Sequence, residues 1–169
     1  MAEPDGSTTP LQGYVDAVSA SPETGLVAVQ TESRGDGSGC FGVVDPATPA
    51  DPVWETCDHA LGAFSPDGRY VLASDAYQSG AGPASVRVLD AATGAEVARF
   101  DPERGQQVLL QRVVWESDDA FLAVASQGSD VTLVRFGVDG SLEEVTDRVK
   151  GDAYGDLPFY FGGDRVRGF

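Results

Sequence analysis

The residues able to do chemistry in this chain are few and fall in short clusters. Cys40 and Cys57 are its two cysteines and His59 is its one histidine. Two thiols can join as a disulfide or bind a metal as thiolates. The run Cys57-Asp58-His59 sets a nucleophile, an acid and a base side by side. A single histidine cannot complete the usual zinc ligand set, and no further cysteine cluster exists to replace it. Cys and His two apart in sequence do not by themselves form a nucleophile–base pair. The expectation is no metal site, no cofactor and no catalytic residue, with His59 as a loop residue beside a disulfide.

Other clusters invite chemistry less. Asp118-Asp119 and Glu143-Glu144 are paired carboxylates. Acid–base work on a glycoside needs such groups facing each other across a cleft, which adjacency in sequence does not supply. Their ordinary reading is a solvated turn and a polar edge. Gly35-Asp36-Gly37-Ser38-Gly39 resembles a phosphate cradle, but such cradles open a helix. Here Cys40-Phe41-Gly42-Val43-Val44 follows and reads as a strand. The segment from Tyr77 through Gln78, Ser79, Gly80, Ala81 and Gly82 to Pro83 is long, polar and aromatic-tipped. Loops on rigid scaffolds carry binding, so Tyr77, Gln78 and Ser79 are the candidate contact residues.

The elements that must position these residues repeat along the chain. Tyr14 to Thr31, Ala60 to Ser74 and Leu110 to Ser126 share one plan: an apolar run, a turn of Pro, Asp or Gly, and a second apolar run at once. Pro22 to Pro66 is a step of 44 residues and Tyr70 to Phe121 a step of 51, close to the blade length of propeller repeats. Val71-Leu72-Ala73 and Leu122-Ala123-Val124-Ala125 are continuous apolar runs, the mark of strands packed on both faces. A third strand ends in an acidic turn: Val43-Val44-Asp45, Val88-Leu89-Asp90, and Leu133 to Phe136 before Asp139-Gly140. A weaker fourth strand follows at Val53 to Glu55, Glu96 to Phe100 and Leu142 to Val145. Phe64 with Trp115, and Tyr70 with Phe121, hold equivalent positions and are expected in the core between blades. Trp54 falls on an outer strand, partly exposed.

This plan places the cysteines. Cys40 lies just before the third strand of the first unit and Cys57 just after the fourth. Symmetric pairing about the Pro46 to Pro52 loop sets them opposite each other. Opposed residues on antiparallel strands have Cβ atoms about 4.5–5.5 Å apart, near disulfide range. The expectation is a bridge contributing roughly 3 kcal/mol in an exported protein.

Residues 1–12 read as a polar linker or tail, and 13–169 as the repeat domain. Leu157-Pro158-Phe159-Tyr160-Phe161 reads as another first strand, Gly162-Gly163-Asp164 as its turn and Arg165-Val166-Arg167 as the start of a second strand. Three units and a hairpin leave strand edges and a blade face to cover. Self-association, or pairing with a missing propeller segment, is the expected closure of the ring, since propellers pair their first and last blades. A compact ring closed by the last hairpin is the alternative.

The string Phe64-Ser65-Pro66-Asp67-Gly68-Arg69-Tyr70-Val71-Leu72-Ala73 resembles the Ser-Pro-Asp-Gly hairpin of bacterial β-propeller repeats of the WD-repeat-like, YVTN and Tol-system types. Val86-Arg87-Val88-Leu89-Asp90 with Thr93-Gly94 is similar to the strand and turn that follow in those repeats. The resemblance covers most of Gly13 to Thr146. It implies an all-β fold of four-stranded antiparallel meanders, an incomplete propeller in one chain. Propellers host many activities, so it implies function poorly.

Composition narrows the function classes. With 11 basic against 27 acidic residues the net charge is -16, which repels nucleic acid and anionic membrane. No window of about 18 apolar residues exists to span a bilayer. Asn and Ile are missing and Lys150 is the single lysine. A high-GC genome, that of a high-GC bacterium such as an actinobacterium or of a haloarchaeon, produces that pattern, so much of the acidity reads as codon bias. The expected function is a non-enzymatic interaction or sensing scaffold for a protein or carbohydrate partner, extracytoplasmic or secreted. A cytoplasmic location is the alternative. The alternative function is a fragment or accessory propeller domain of a secreted hydrolase.

Overall fold

The computed structural model describes residues 13–35, 38–77, 83–102, 108–152, 157–159 and 161. Three antiparallel meanders follow one another along the chain. The first is β1(Asp16–Ala20), β2(Val27–Ser33), β3(Gly39–Val44) and β4(Trp54–Thr56). The second is β5(His59–Phe64), β6(Tyr70–Asp75), β7(Val86–Asp90) and β8(Glu96–Phe100). The third is β9(Val108–Trp115), β10(Ala120–Gln127), β11(Asp130–Gly137) and β12(Leu142–Glu144), with β13(Val149–Lys150) pairing the other half of β11. Among the described residues no helix is long and apolar enough to cross a membrane.

Strand alternation sends side chains to both faces of every sheet. Leu72, Val86, Val88, Ala98 and Phe100 of the second sheet meet Phe121, Ala123, Val134 and Phe136 of the third. Val71, Ala73 and Leu89 point the other way, onto Ala28 and Val43 of the first. Packing on both sides is what the unbroken apolar runs predict. Phe121 is fully buried, stacked on Phe136 at 5.0 Å and edge-on to Phe100 at 5.7 Å. A buried side chain of this size stabilises by roughly 1.5–3 kcal/mol.

The hairpin turns show why the sequence folds back where it does. Ser65 Oγ bonds the Asp67 carboxylate at 2.7 Å, and the same carboxylate oxygen accepts the Arg69 amide. Gly68, at φ +73°, completes the reversal; it also abuts the first sheet's turn, where a Cβ would fall 2.7 Å from Thr24 Cγ2. The amides of Ser21, Ser65 and Glu116 close their turns on Leu26, Tyr70 and Ala120. The third turn is one residue shorter, so Tyr70 corresponds to Ala120. Phe121 corresponds to Val71: Phe64 pairs Val71 as Trp115 pairs Phe121. This corrects the expected match of Tyr70 with Phe121. Tyr70 is only partly buried and stacks on Trp115 at 6.5 Å.

The end of the chain differs from its reading. No strand pairing is present at Leu157, Pro158, Phe159 or Phe161. Leu157 instead packs with Val124 and Val131 on the third sheet's far face, beside Phe159 and Phe161. Gly151 leaves room for this return, since a Cβ there would lie 2.7 Å from Val131 Cγ2 and 3.1 Å from Pro158 Cδ. The turn and second strand expected at 162–167 lie outside the described residues. On the first sheet's far face Val27, Val29 and Val44 are buried, with Tyr14 against them.

Candidate functional site

The sheets are tied to each other through their innermost strands. Each of these carries a register irregularity: between Ala17 and Ser19 in β1, Leu61 and Phe64 in β5, and Gln111 and Val114 in β9. A bulge turns carbonyls away from the ladder. In β5 those carbonyls reach both neighbours. Gly62 O accepts the Ser19 hydroxyl at 2.6 Å, and Ala63 O accepts the Trp115 indole at 3.0 Å. On the outside, Trp54 of β4 reaches the second sheet. Its Nε1 donates to Ala91 O at 2.8 Å, and its ring covers Gly94, where a Cβ would fall 2.8 Å from Cδ2.

Cys40 and Cys57 are joined, with Cα atoms 4.0 Å apart. The β3–β4 register, Phe41 opposite Thr56, continues to this pair. Cys40 lies inside β3 rather than before it, because β3 begins at Gly39. Arg34 Nη2 stands 3.2 Å from the Cys40 sulfur. His59 is the first residue of β5, paired with Asp75, and not a loop residue. Its Nδ1 is enclosed without a hydrogen-bond partner. With both sulfurs bonded to each other, the Cys57-Asp58-His59 run offers no free thiol.

Tyr77 is 65% exposed two residues beyond β6, next to Ala76, whose amide bonds Asp58 O. Gln78 and Ser79 lie outside the described residues. The paired carboxylates separate onto different arginines. Glu143 bonds Arg135 at 2.6 Å, and Glu144 bonds Arg148 at 2.5 Å. Glu116 takes the other side of the Arg135 guanidinium at 2.5 and 2.8 Å. These bonds from arginine hold the Glu116 and Glu144 carboxyls below the usual carboxylate range, which keeps them ionised and unfit as general acids near neutral pH. Asp119 accepts from Arg69 at 3.4 Å.

The sequence reading missed a groove between the second and third sheets, of about 410 Å³. Phe100, Leu110, Val134 and Phe136 line its floor. Its rim carries the ion pairs Arg99–Asp101 and Arg148–Glu144, and Asp130 held by Lys150 at 2.6 Å. Gly140 and the 61% exposed Leu142 border it. An apolar floor with a few charged groups at the edge is the usual make-up of a ligand site. Sequence signals for it were weak, since its residues come from five strands and the loops between them. The buried Arg87 was also missed: it lies in the second sheet, holding Asp75 at 2.8 Å and Glu96 at 3.3 Å.

No protein-family model matches the chain, and no curated protein is similar to it at a significant level. Solved structures do match. The β-propeller domain of the trilobed protease from Pyrococcus furiosus, described as having an open velcro topology, aligns at 13% identity with a TM-score of 0.55. The match covers 81% of this chain and 44% of that one. The WD40 domain of SCAP from fission yeast aligns at 12% identity over 84% of this chain and 36% of that one, with a TM-score of 0.42. This chain thus spans less than half the length of the propellers it matches. Its three antiparallel sheets are β-propeller blades.

Proposed function

We propose that the chain is a non-enzymatic interaction scaffold whose groove between the second and third blades receives a protein partner. The observation that carries this reading is the apolar floor of Phe100, Leu110, Val134 and Phe136 beneath a rim of paired charges. Carboxylates locked to arginine serve recognition better than proton transfer. The Cys40–Cys57 bridge supports an extracytoplasmic site of action, where disulfides persist. The match to 44% of a propeller chain supports ring completion by a second copy or a further segment.

The test is a peptide and glycan array probed with the purified chain and with Leu142→Glu. Leu142 is exposed at the groove mouth, so the substitution should spare the fold. Saturable binding that Leu142→Glu abolishes, with every ligand recovered intact, is the expected result. Binding that survives the substitution overturns the groove assignment.

A second reading, an accessory propeller of a secreted hydrolase, draws on the protease that carries the matched propeller domain. Cleavage of the bound array ligands by the chain itself would favour a catalytic role over both readings.

A further inference from the structure

The blades repeat closely enough that one interface can be read against the next. Ala91 of the second blade and Val138 of the third are counterparts: their amides bond the equivalent carbonyls of Arg69 and Asp119. Gly94 and Gly140 are counterparts too, both at positive φ and both closing the turn after the third strand. On the outer strands, Trp54 lies opposite Val43 and Ala98 lies opposite Val88. Val43 and Val88 hold the same place before Asp45 and Asp90. Ala98 therefore stands where the first blade has Trp54.

The consequence is visible at the two glycines. At the first interface the Trp54 indole covers Gly94 and donates to Ala91 O. At the second interface Ala98 is too short to do either. Gly140 has nothing within 4 Å of a built Cβ and borders the groove. The aromatic bulk of this strand sits at Phe100, which packs on Phe136 at 4.8 Å and lines the groove.

We propose that this groove takes the tryptophan side chain of a basic partner peptide, stacked over Gly140 with its N–H aimed at Val138 O. The proposal rests on the scaffold reading above and names the ligand chemistry for the same groove. Trp54 supplies the template for shape and donor. The charge follows from the chain's net -16, since the rim acids Asp101, Asp130 and Glu144 are each already paired, with Arg99, Lys150 and Arg148; the field of the whole chain favours Lys or Arg beside the tryptophan. A second copy of this chain is a poor donor, because Trp54 and Trp115 both spend their N–H between blades.

The test is calorimetric titration of the full chain with the peptide Ac-Lys-Trp-Lys-NH2, with Ac-Lys-Ala-Lys-NH2 as control. The expected result is saturable binding at one site for the tryptophan peptide and none for the control. Ala98→Trp should weaken it at least about tenfold by carrying an indole toward Gly140 as Trp54 carries one over Gly94. Trp54→Ala should add a second site, as cavities opened in cores bind rings of matching shape. If Ala98→Trp does not fold, nitrogen–proton correlation spectra of the wild-type chain decide: the Gly140 amide must shift during the titration. No saturable binding, or binding that leaves Gly140 unmoved, overturns the proposal. Equal affinity for N-acetyltryptophanamide overturns the peptide in favour of a small indole. Array ligands that need the groove but lack tryptophan would refute the indole alone and leave the scaffold reading standing.

Discussion

The indole Nε1 of Trp54 donates to the carbonyl of Ala91 at 2.8 Å, carrying the outer strand of the first blade onto a turn of the second. The ring over Gly94 adds apolar contact to that bond. Trp54→Ala should therefore cost about 2–3 kcal/mol, below the range for a fully buried aromatic because Trp54 is half-buried. Trp54→Phe keeps the stacking and loses the donor, for about 1 kcal/mol. Urea unfolding of both variants measures this. Equal losses would show that the contact with Gly94 contributes nothing.

The bridge between Cys40 and Cys57 ties β3 to the end of β4. Replacing both cysteines by alanine should lower stability by about 3 kcal/mol, mainly by freeing the unfolded chain. Wild-type protein under reducing agent should unfold at the same urea concentration as the double variant. A reduced protein as stable as the oxidised one would remove the bridge from the account of stability.

Acid should act through Glu116. Bonds from Arg135 lower its folded pKa. A depressed carboxylate contributes stability that is complete above the unfolded value and lost as pH falls through the folded one. The gap in Tm between wild type and Glu116→Gln should hold constant down to about pH 5 and close below about pH 4. A gap that widens in acid would contradict the sign of the shift.

Much of the fold was legible because its signals are local. Ser65-Pro66-Asp67-Gly68 sets a turn through its own hydrogen bonds, and the apolar runs beside it alternate onto two buried faces. The Cys40–Cys57 pairing was legible because register propagates symmetrically about a hairpin loop. The match of Tyr70 with Phe121 failed because the third turn lacks one residue, which changes which side chain opens the next strand. Leu157 to Phe161 has strand composition, yet it packs as a cover on Val124 and Val131. Trp54 read as a partly exposed residue of an outer strand, which it is; its partners Ala91 and Gly94 were not legible because they sit in another blade. The groove was not legible for the same reason: its lining comes from five strands of two blades and the loops between them.

The three sheets stack as consecutive blades through Trp54 and Trp115. These are the two tryptophans of the chain, so a proton spectrum should hold two resolvable indole N–H signals. A nuclear Overhauser experiment reads their neighbours directly. Cross-peaks are expected from the Trp54 indole to the Gly94 α-protons and from the Trp115 indole to residues around Ala63, with both signals slow to exchange with water. Two fast-exchanging indole signals without cross-peaks to a neighbouring sheet would contradict this stacking.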